Sequence, residues 1–160
     1  MNGIQQSGQV TPGHIATWTT DGVIQDGGAA PLNVIASLRN ANFNITSDQP
    51  IIIPQSIVAF QLTGIVVTNA SISLTTAVGG FYPQSTKGGT PIVASSQAYS
   101  ALTSANSLMQ ATLAAFGSGT RFSSANLASI GGLLAIWFSL TTAQGAAATG
   151  DIYLLGNNLS

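Results

Sequence analysis

The chain has 160 residues, of which 45% are hydrophobic and only 4% are charged. Charged residues make up about a quarter of a typical soluble domain, so here the hydration of the surface falls to Ser, Thr, Asn, Gln and Gly. A formal net charge of -1 gives no electrostatic reason to bind nucleic acid or an anionic membrane. The absence of Cys excludes disulfides and thiolate metal sites.

The scarcity of charge also bears on the class of function. A surface with few ions loses little free energy when it is dehydrated against another surface. The same surface is poor in the acid and base pairs that catalysis requires. The composition therefore favours a component of an assembly over an enzyme.

Residues 1–31 predict an N-terminal arm that contains a small hairpin. The pair Asp21-Gly22 favours the positive φ angles of a tight turn and lies between two β-prone runs, residues 15–20 and 23–25. We expect the Gly-rich residues 26–28 to close the second run. A hairpin of this length is not stable alone in water, so it must pack on its own domain or on a neighbour.

The arm also supplies the candidate assembly contacts. Trp18 belongs to a hairpin with little core of its own, and aromatic side chains on short arms commonly bury into a partner. The alternative for Trp18 is burial within its own domain. We predict that five residues of the arm contact a neighbouring subunit: His14, Ile15, Trp18, Val23 and Ile24.

Residues 32–160 predict a β-sandwich domain, and two of its segments alternate strictly in side-chain character. Residues 71–75 place Ile72 and Leu74 on a core face and the hydroxyl side chains outside. Residues 134–140 predict the clearest strand. Four of its side chains share one side: Leu134, Ile136, Phe138 and Leu140.

Trp137 lies on the opposite side of that strand, so it belongs either to the core of the second sheet or to an exposed contact. Further predicted strands are residues 51–53, 57–68 and 151–155. Gly-rich turns are predicted at residues 78–80, 87–89 and 117–119. Many short strands joined by such turns are typical of a sandwich or barrel.

Residues 98–116 fit two patterns. A helical stripe would contain Leu102, Ala105, Leu108, Met109 and Leu113, whereas residues 109–114 also fit a strand. The sequence leaves both possibilities open.

The sequence pattern SLTTA-x-G occurs twice, at residues 73–79 and at residues 139–145. Chance is one explanation in a chain rich in Ser, Thr and Ala, because two copies do not establish a repeat. The physical interpretation is that two strands leave their sheets through the same kind of turn.

The chain offers little catalytic or ligand-binding chemistry. His14 is its only imidazole, and no G-x-S-x-G nucleophile motif accompanies it. The four acidic residues are all Asp, and their spacing matches neither a calcium loop nor a glycosidase pair. Residues 85–89 have the wrong order for a phosphate-binding loop. We therefore predict no catalytic residues, no cofactor and no metal.

A membrane-spanning segment is not expected either. Residues 122–150 lack charge, but the charge-free stretches at residues 49–86 and 88–120 are longer, so low charge is a property of the whole chain. Polar and Gly residues interrupt every one of these stretches before they reach the roughly 20 continuous apolar residues of a spanning helix.

Several segments, taken together, resemble structural proteins of tailed bacteriophages. Residues 9–16, Trp18 and residues 21–28 resemble an N-terminal segment that recurs in such proteins. The later segments resemble small virion proteins with a jelly-roll-like β fold: residues 67–71, 73–80, 87–89, 99–102 and 139–153. The resemblance spans nearly the whole chain and brings no catalytic residues with it.

The resemblance implies an all-β, jelly-roll-like sandwich and a role as a capsid cement or decoration protein. Its partner would be the major capsid protein, it would form a homo-oligomer (a dimer or trimer), and it would lie on the capsid exterior of the virion. The alternative is a head or tail fibre module that recognises host-surface glycan. In that case Trp18, Tyr82, Tyr99 or Trp137 would be the stacking platforms for sugar rings.

Overall fold

The structure, a computed structural model, describes the backbone of residues 5–6, 14–18 and 23–29 and the whole of residues 33–160. The chain divides into two compact units, Met1–Leu32 and Asn33–Ser160.

The first unit contains a three-stranded sheet. Its strands are β1 (Gln5–Gln6), β2 (His14–Trp18) and β3 (Val23–Ala29), in the order β1-β3-β2. The antiparallel pairing of β2 with β3 is the one that the predicted hairpin requires, whereas its turn at Asp21-Gly22 lies outside the described residues. The prediction that residues 26–28 close the hairpin is wrong, because β3 continues through them and a register shift absorbs the extra residue.

The second unit is a β-sandwich, and the predicted all-β fold is confirmed; the jelly-roll-like order of its strands stays a prediction. No helix occurs between residues 33 and 160. Its strands in chain order are β4 (Asn33–Asn42), β5 (Gln49–Ile52), β6 (Ala59–Thr68), β7 (Val78–Tyr82), β8 (Leu108–Ala111), β9 (Arg121–Ser123), β10 (Ser129–Ile130), β11 (Leu133–Thr142) and β12 (Thr149–Asn158).

Two antiparallel sheets make up the sandwich. In the first, here called the β12 sheet, β12 lies between β4 and β6, and the far edge of β6 pairs with β8 and β9. In the second, the β11 sheet, β11 pairs with β5 along one edge and with β7 and β10 along the other. The predicted strands at residues 51–53, 57–68, 134–140 and 151–155 correspond to β5, β6, β11 and β12.

Aromatic side chains fill the space between the sheets. Phe138 of β11 lies at the centre, with its ring centroid 5.0 Å from that of Phe43, 5.2 Å from Phe81 and 5.9 Å from Tyr99. All four side chains are fully buried. The alternate residues of β11 belong to this core, as the sequence predicts: Leu134, Ile136, Phe138 and Leu140.

Two glycines predicted to form a turn instead lie inside β7. A Cβ on Gly79 would fall 2.4 Å from Leu140 Cα, and a Cβ on Gly80 would fall 2.4 Å from the Val93 carbonyl oxygen. Only hydrogen in place of a side chain allows the backbones to approach so closely. The turn prediction for residues 78–80 is therefore wrong, whereas residues 87–89 and 117–119 do form turns.

The strand predicted at residues 71–75 is also wrong. This segment is a loop in which Leu74 is buried and Ile72 is 38% exposed. The Leu74 N–H donates to the Leu102 carbonyl oxygen, and the Ser71 N–H donates to the Thr149 carbonyl oxygen. The hydrogen bonds thus go to scattered partners, and no neighbouring strand fixes both apolar residues on one face.

The two SLTTA-x-G segments lie side by side. Gly79 pairs with Leu140, and the Gln144 side chain accepts hydrogen bonds from the N–H groups of Thr76 and Ala77 at 3.1 and 3.2 Å. The first segment leads into β7, whereas the second ends β11. The idea that both end a strand through one kind of turn is therefore wrong.

The open question at residues 98–116 resolves in favour of a strand. Residues 108–111 form β8, and Leu102 inserts its side chain into the core from a loop. Leu108 is 67% exposed, which a helical core stripe would not allow.

The glycine contacts predict a sharp difference between two alanine substitutions. Gly79→Ala places a methyl group against the β11 backbone, so we expect a loss of about 3 kcal/mol in the free energy of unfolding. Gly64→Ala is the control, because its Cβ would meet only the flexible Gln110 side chain, and we expect a cost below about 1 kcal/mol. Urea denaturation followed by tryptophan fluorescence measures both; equal losses would contradict the close-approach argument.

Candidate assembly surface

The structure places the backbone of all five predicted contact residues. His14, Ile15 and Trp18 lie in β2, Val23 and Ile24 lie in β3, and the register pairs Trp18 with Ile24. The two strands thus bring the five positions into one small sheet. The contacts of these side chains lie outside the described part of the chain.

Charged side chains of the sandwich are largely used within it. Residues 33–160 contain five of them, and four make hydrogen bonds or ion pairs to the sandwich itself. Asp48 and Lys87 act together at one loop pair. The Asp48 carboxylate accepts a hydrogen bond from the Thr86 N–H, and Lys87 Nζ donates to the Thr46 carbonyl oxygen at 3.2 Å.

That loop pair stabilises an unusual turn. Thr86 and Lys87 have φ angles of 57° and 56°, in the left-handed region that disfavours a β-branched residue such as Thr. The hydrogen bond to Asp48 holds Thr86 in this conformation. The charges therefore serve local structure at this end of the β11 sheet.

Asp151 is the buried acid of the sandwich and joins three strands. Its Oδ1 accepts the Asn40 N–H at 2.9 Å, and its Oδ2 accepts Asn69 Nδ2 at 3.1 Å and lies 3.2 Å from Arg39 Nη1. Asn40 lies in β4, where a bulge in the β4–β12 register occurs, and Asn69 follows β6 directly. Both asparagines have positive φ angles, 54° and 55°, so one carboxylate holds two left-handed residues.

The same contacts set the ionisation of this group. Burial raises the pKa of the Asp151 carboxyl, but hydrogen bonds from Asn40, Asn69 and Arg39 and the positive charge of Arg39 lower it by more, so the pKa lies below its usual value. Arg39 itself also covers the ring of Tyr153, with its Cζ 5.3 Å from the ring centroid.

An uncharged groove lies at the end of the sandwich where β6 begins. Its volume is about 290 Å³, and apolar residues from the β5–β6 connection and from β11 line most of it: Ile53, Pro54, Ile57, Val58, Leu133 and Leu134. The Ile53 N–H donates to the Leu134 carbonyl oxygen at 2.8 Å, which joins its two walls. We call this the β6-start groove.

Exposed apolar side chains surround the β6-start groove. Val58 is 63% exposed and Leu159 is 46% exposed, and the Leu159 N–H donates to the carbonyl oxygen of Ala59 beside Val58. Ile130, which pairs with Leu133 of the groove wall, is also exposed. Clustered exposed apolar residues mark interaction surfaces on soluble proteins. The sequence did not predict this site, because residues 53–58 and 133–134 meet only through β5–β11 pairing.

The glycan alternative loses most of its predicted platforms. Tyr82, Tyr99 and Trp137 are all buried, and the Tyr99 hydroxyl donates to the Gly79 carbonyl oxygen at 3.2 Å. Of the two positions expected for Trp137, the exposed contact is therefore wrong. A sugar ring cannot stack on these three side chains in this conformation, and Trp18 is the remaining candidate.

The described residues contain no group of three or more His, Cys, Asp or Glu side chains placed to hold a metal ion. Among their secondary-structure elements there is also no helix with the length and hydrophobicity to cross a membrane.

Comparison of the chain with protein-family models, with curated proteins and with solved structures finds no match.

The Asp151 contacts predict acid-dependent stability. Because the folded pKa lies below the unfolded value of about 3.9, the carboxylate stabilises the fold fully above that pH, and this contribution is lost as the pH falls through the folded pKa. Asp151→Asn should lower the free energy of unfolding at neutral pH by about 1–3 kcal/mol and flatten this pH dependence. Urea unfolding at a series of pH values measures both effects; an unchanged pH profile in the variant would contradict the assignment.

Proposed function

We propose that the chain is a structural, non-enzymatic protein of a bacteriophage virion. It binds the outside of the capsid and stabilises contacts between major capsid subunits, as a cement or decoration protein does. The observation that supports this most directly is the β6-start groove with its exposed apolar rim, on a sandwich whose few charged side chains mostly contact the sandwich itself.

The energetics of such a surface suit attachment to a repeating lattice. Burial of a fully exposed Val or Leu side chain contributes about 1.5–3 kcal/mol, and Val58, Leu159 and Ile130, which are partly exposed, each offer a part of that. Dehydration costs little because no ion has to be stripped of water in the groove lining. Each contact is modest, but simultaneous attachment to several capsid subunits multiplies the effect.

The N-terminal unit fits the same role as a second point of attachment. Because β1 has only two residues, the sheet is little more than the β2–β3 hairpin, and an isolated hairpin needs a larger surface to pack on. In this proposal His14, Ile15, Trp18, Val23 and Ile24 contact a neighbouring subunit. The jelly-roll-like arrangement and the homo-oligomeric state belong to the proposal as well.

A binding experiment tests the attachment. Purified protein should bind expanded capsid shells that lack it, at physiological salt, and raising the salt should change the binding little because few ion pairs form. Val58→Asp should weaken binding by roughly tenfold or more, since it buries a charge without a partner. Ile72→Asp is the matched control, because Ile72 is exposed in the loop that follows β6 at its other end. Co-sedimentation measures all three; failure of the unaltered protein to bind would refute the proposal.

A deletion tests the arm separately. Removal of residues 1–30 should weaken binding to the shells while the β-sheet signal in circular dichroism stays, because the sandwich has its own core between residues 33 and 160. Full binding by the shortened chain would assign the attachment to the sandwich alone and would contradict the role given to the arm.

A further inference from the structure

Strand β8 leaves one edge of the β12 sheet open. It pairs on one side with β6, from Leu108 opposite Thr68 to Ala111 opposite Ile65, and no strand of the described residues pairs with its other side. Alternate residues of an antiparallel strand direct their N–H and C=O groups to opposite edges. Half of the β8 backbone groups therefore point away from the sheet, where no described residue forms a backbone hydrogen bond to them.

The opposite edge of the same sheet is protected in ways that β8 is not. Strand β4 contains two register irregularities against β12, the charged Arg39 and the left-handed Asn40, and such features prevent one sheet edge from pairing with another. Strand β8 has a continuous register, no Pro and no charge. Its short length limits the strength of any pairing but does not block it.

The surroundings of β8 suit a second copy of the same strand. In a twofold interface each residue near the axis meets its own copy, so a charge there would face a like charge. Residues 88–120 contain no charged residue at all. Leu108 is 67% exposed and the exposed Gln110 lies beside it on the same face, next to a shallow groove of about 350 Å³ bounded by Thr63 and Leu113.

We propose that β8 pairs antiparallel with β8 of a second copy across a twofold axis, which joins two five-stranded sheets into one of ten strands. Residues directly opposite each other in a sheet point to the same face. The axis must therefore lie midway between a residue and its own copy, and registers centred on Met109 or on Gln110 both keep the pairing within β8. We choose the register centred on Met109, because the other one sets the exposed Leu108 opposite the shorter Thr112. Leu108 then lies opposite Gln110 of the second copy, whose methylene groups cover it.

This inference extends the homo-oligomeric part of the proposed function, but it does not depend on capsid binding. A dimer that forms without capsid shells supports it even if the shells are not bound. Conversely, a monomer that binds the shells leaves the proposed function standing and refutes the dimer.

Sedimentation equilibrium on the full-length protein provides the first test. We expect a monomer–dimer equilibrium. Leu108→Lys should raise its dissociation constant roughly tenfold or more, because the variant lacks the apolar Leu surface that the dimer buries. Ile72→Lys is the matched control and should leave the equilibrium unchanged, with circular dichroism confirming that both variants fold. A monomer at all concentrations, a trimer, or equal effects of the two variants would overturn the proposal.

Cysteine pairs test the register, since the native chain has no Cys to interfere. Residues opposite each other lie within the Cα separation that a disulfide spans. Leu108→Cys and Gln110→Cys should each fail to cross-link alone, whereas an oxidised mixture of the two should give a covalent dimer on a non-reducing gel. Cross-linking of either variant with itself, or none in the mixture, would exclude the register centred on Met109.

Discussion

The sandwich depends on the aromatic contact between its two sheets. The chain has no Cys, and residues 33–160 contain a single ion pair, so the sandwich must obtain its stability from burial and hydrogen bonds. Phe138 of β11 meets Phe43, which follows β4 of the other sheet, and Phe81 and Tyr99 pack around the same ring. Each such aromatic pair adds to the free energy gained from area burial alone. Loss of this cluster would remove four of the largest fully buried side chains from the core between the sheets.

The cluster in turn requires close packing within the β11 sheet. Phe81 reaches Phe138 because β7 pairs directly with β11, and Gly79 allows that approach. Gly80 allows the backbone of Val93 to approach β7 as well. On the opposite face of β11, Trp137 is buried, and the Ser139 hydroxyl donates to the Thr46 carbonyl oxygen of the loop after β4. Both faces of β11 are therefore covered, which explains why its buried run extends from residue 135 to residue 140 without a break.

The sequence predicts the elements whose signal is local. Strands β6, β11 and β12 follow from their apolar and β-branched residues, and the fold class follows from their number and the turns between them. The strand prediction for residues 71–75 is wrong because alternation alone does not show whether a partner strand exists. The turn prediction at Gly79 and Gly80 is wrong because a glycine pair has the same appearance in a turn and at a close backbone contact. The β6-start groove and the open edge of β8 depend on pairing between distant segments, which no local pattern specifies.

The placement of the charges links the fold to the proposed assembly. Three charged side chains fix backbone conformations that would otherwise be strained. Asp151 does so at Asn40 and Asn69. Asp48 and Lys87 do so at Thr86 and at Lys87 itself. Asp151 is also withdrawn from the surface by burial, so the exterior of the sandwich carries one charge fewer than its composition indicates. Such an exterior gives a partner little long-range electrostatic steering and little penalty for dehydration. Recognition must then come from shape, exposed apolar side chains and open backbone edges, and these are the features found at the β6-start groove and at β8.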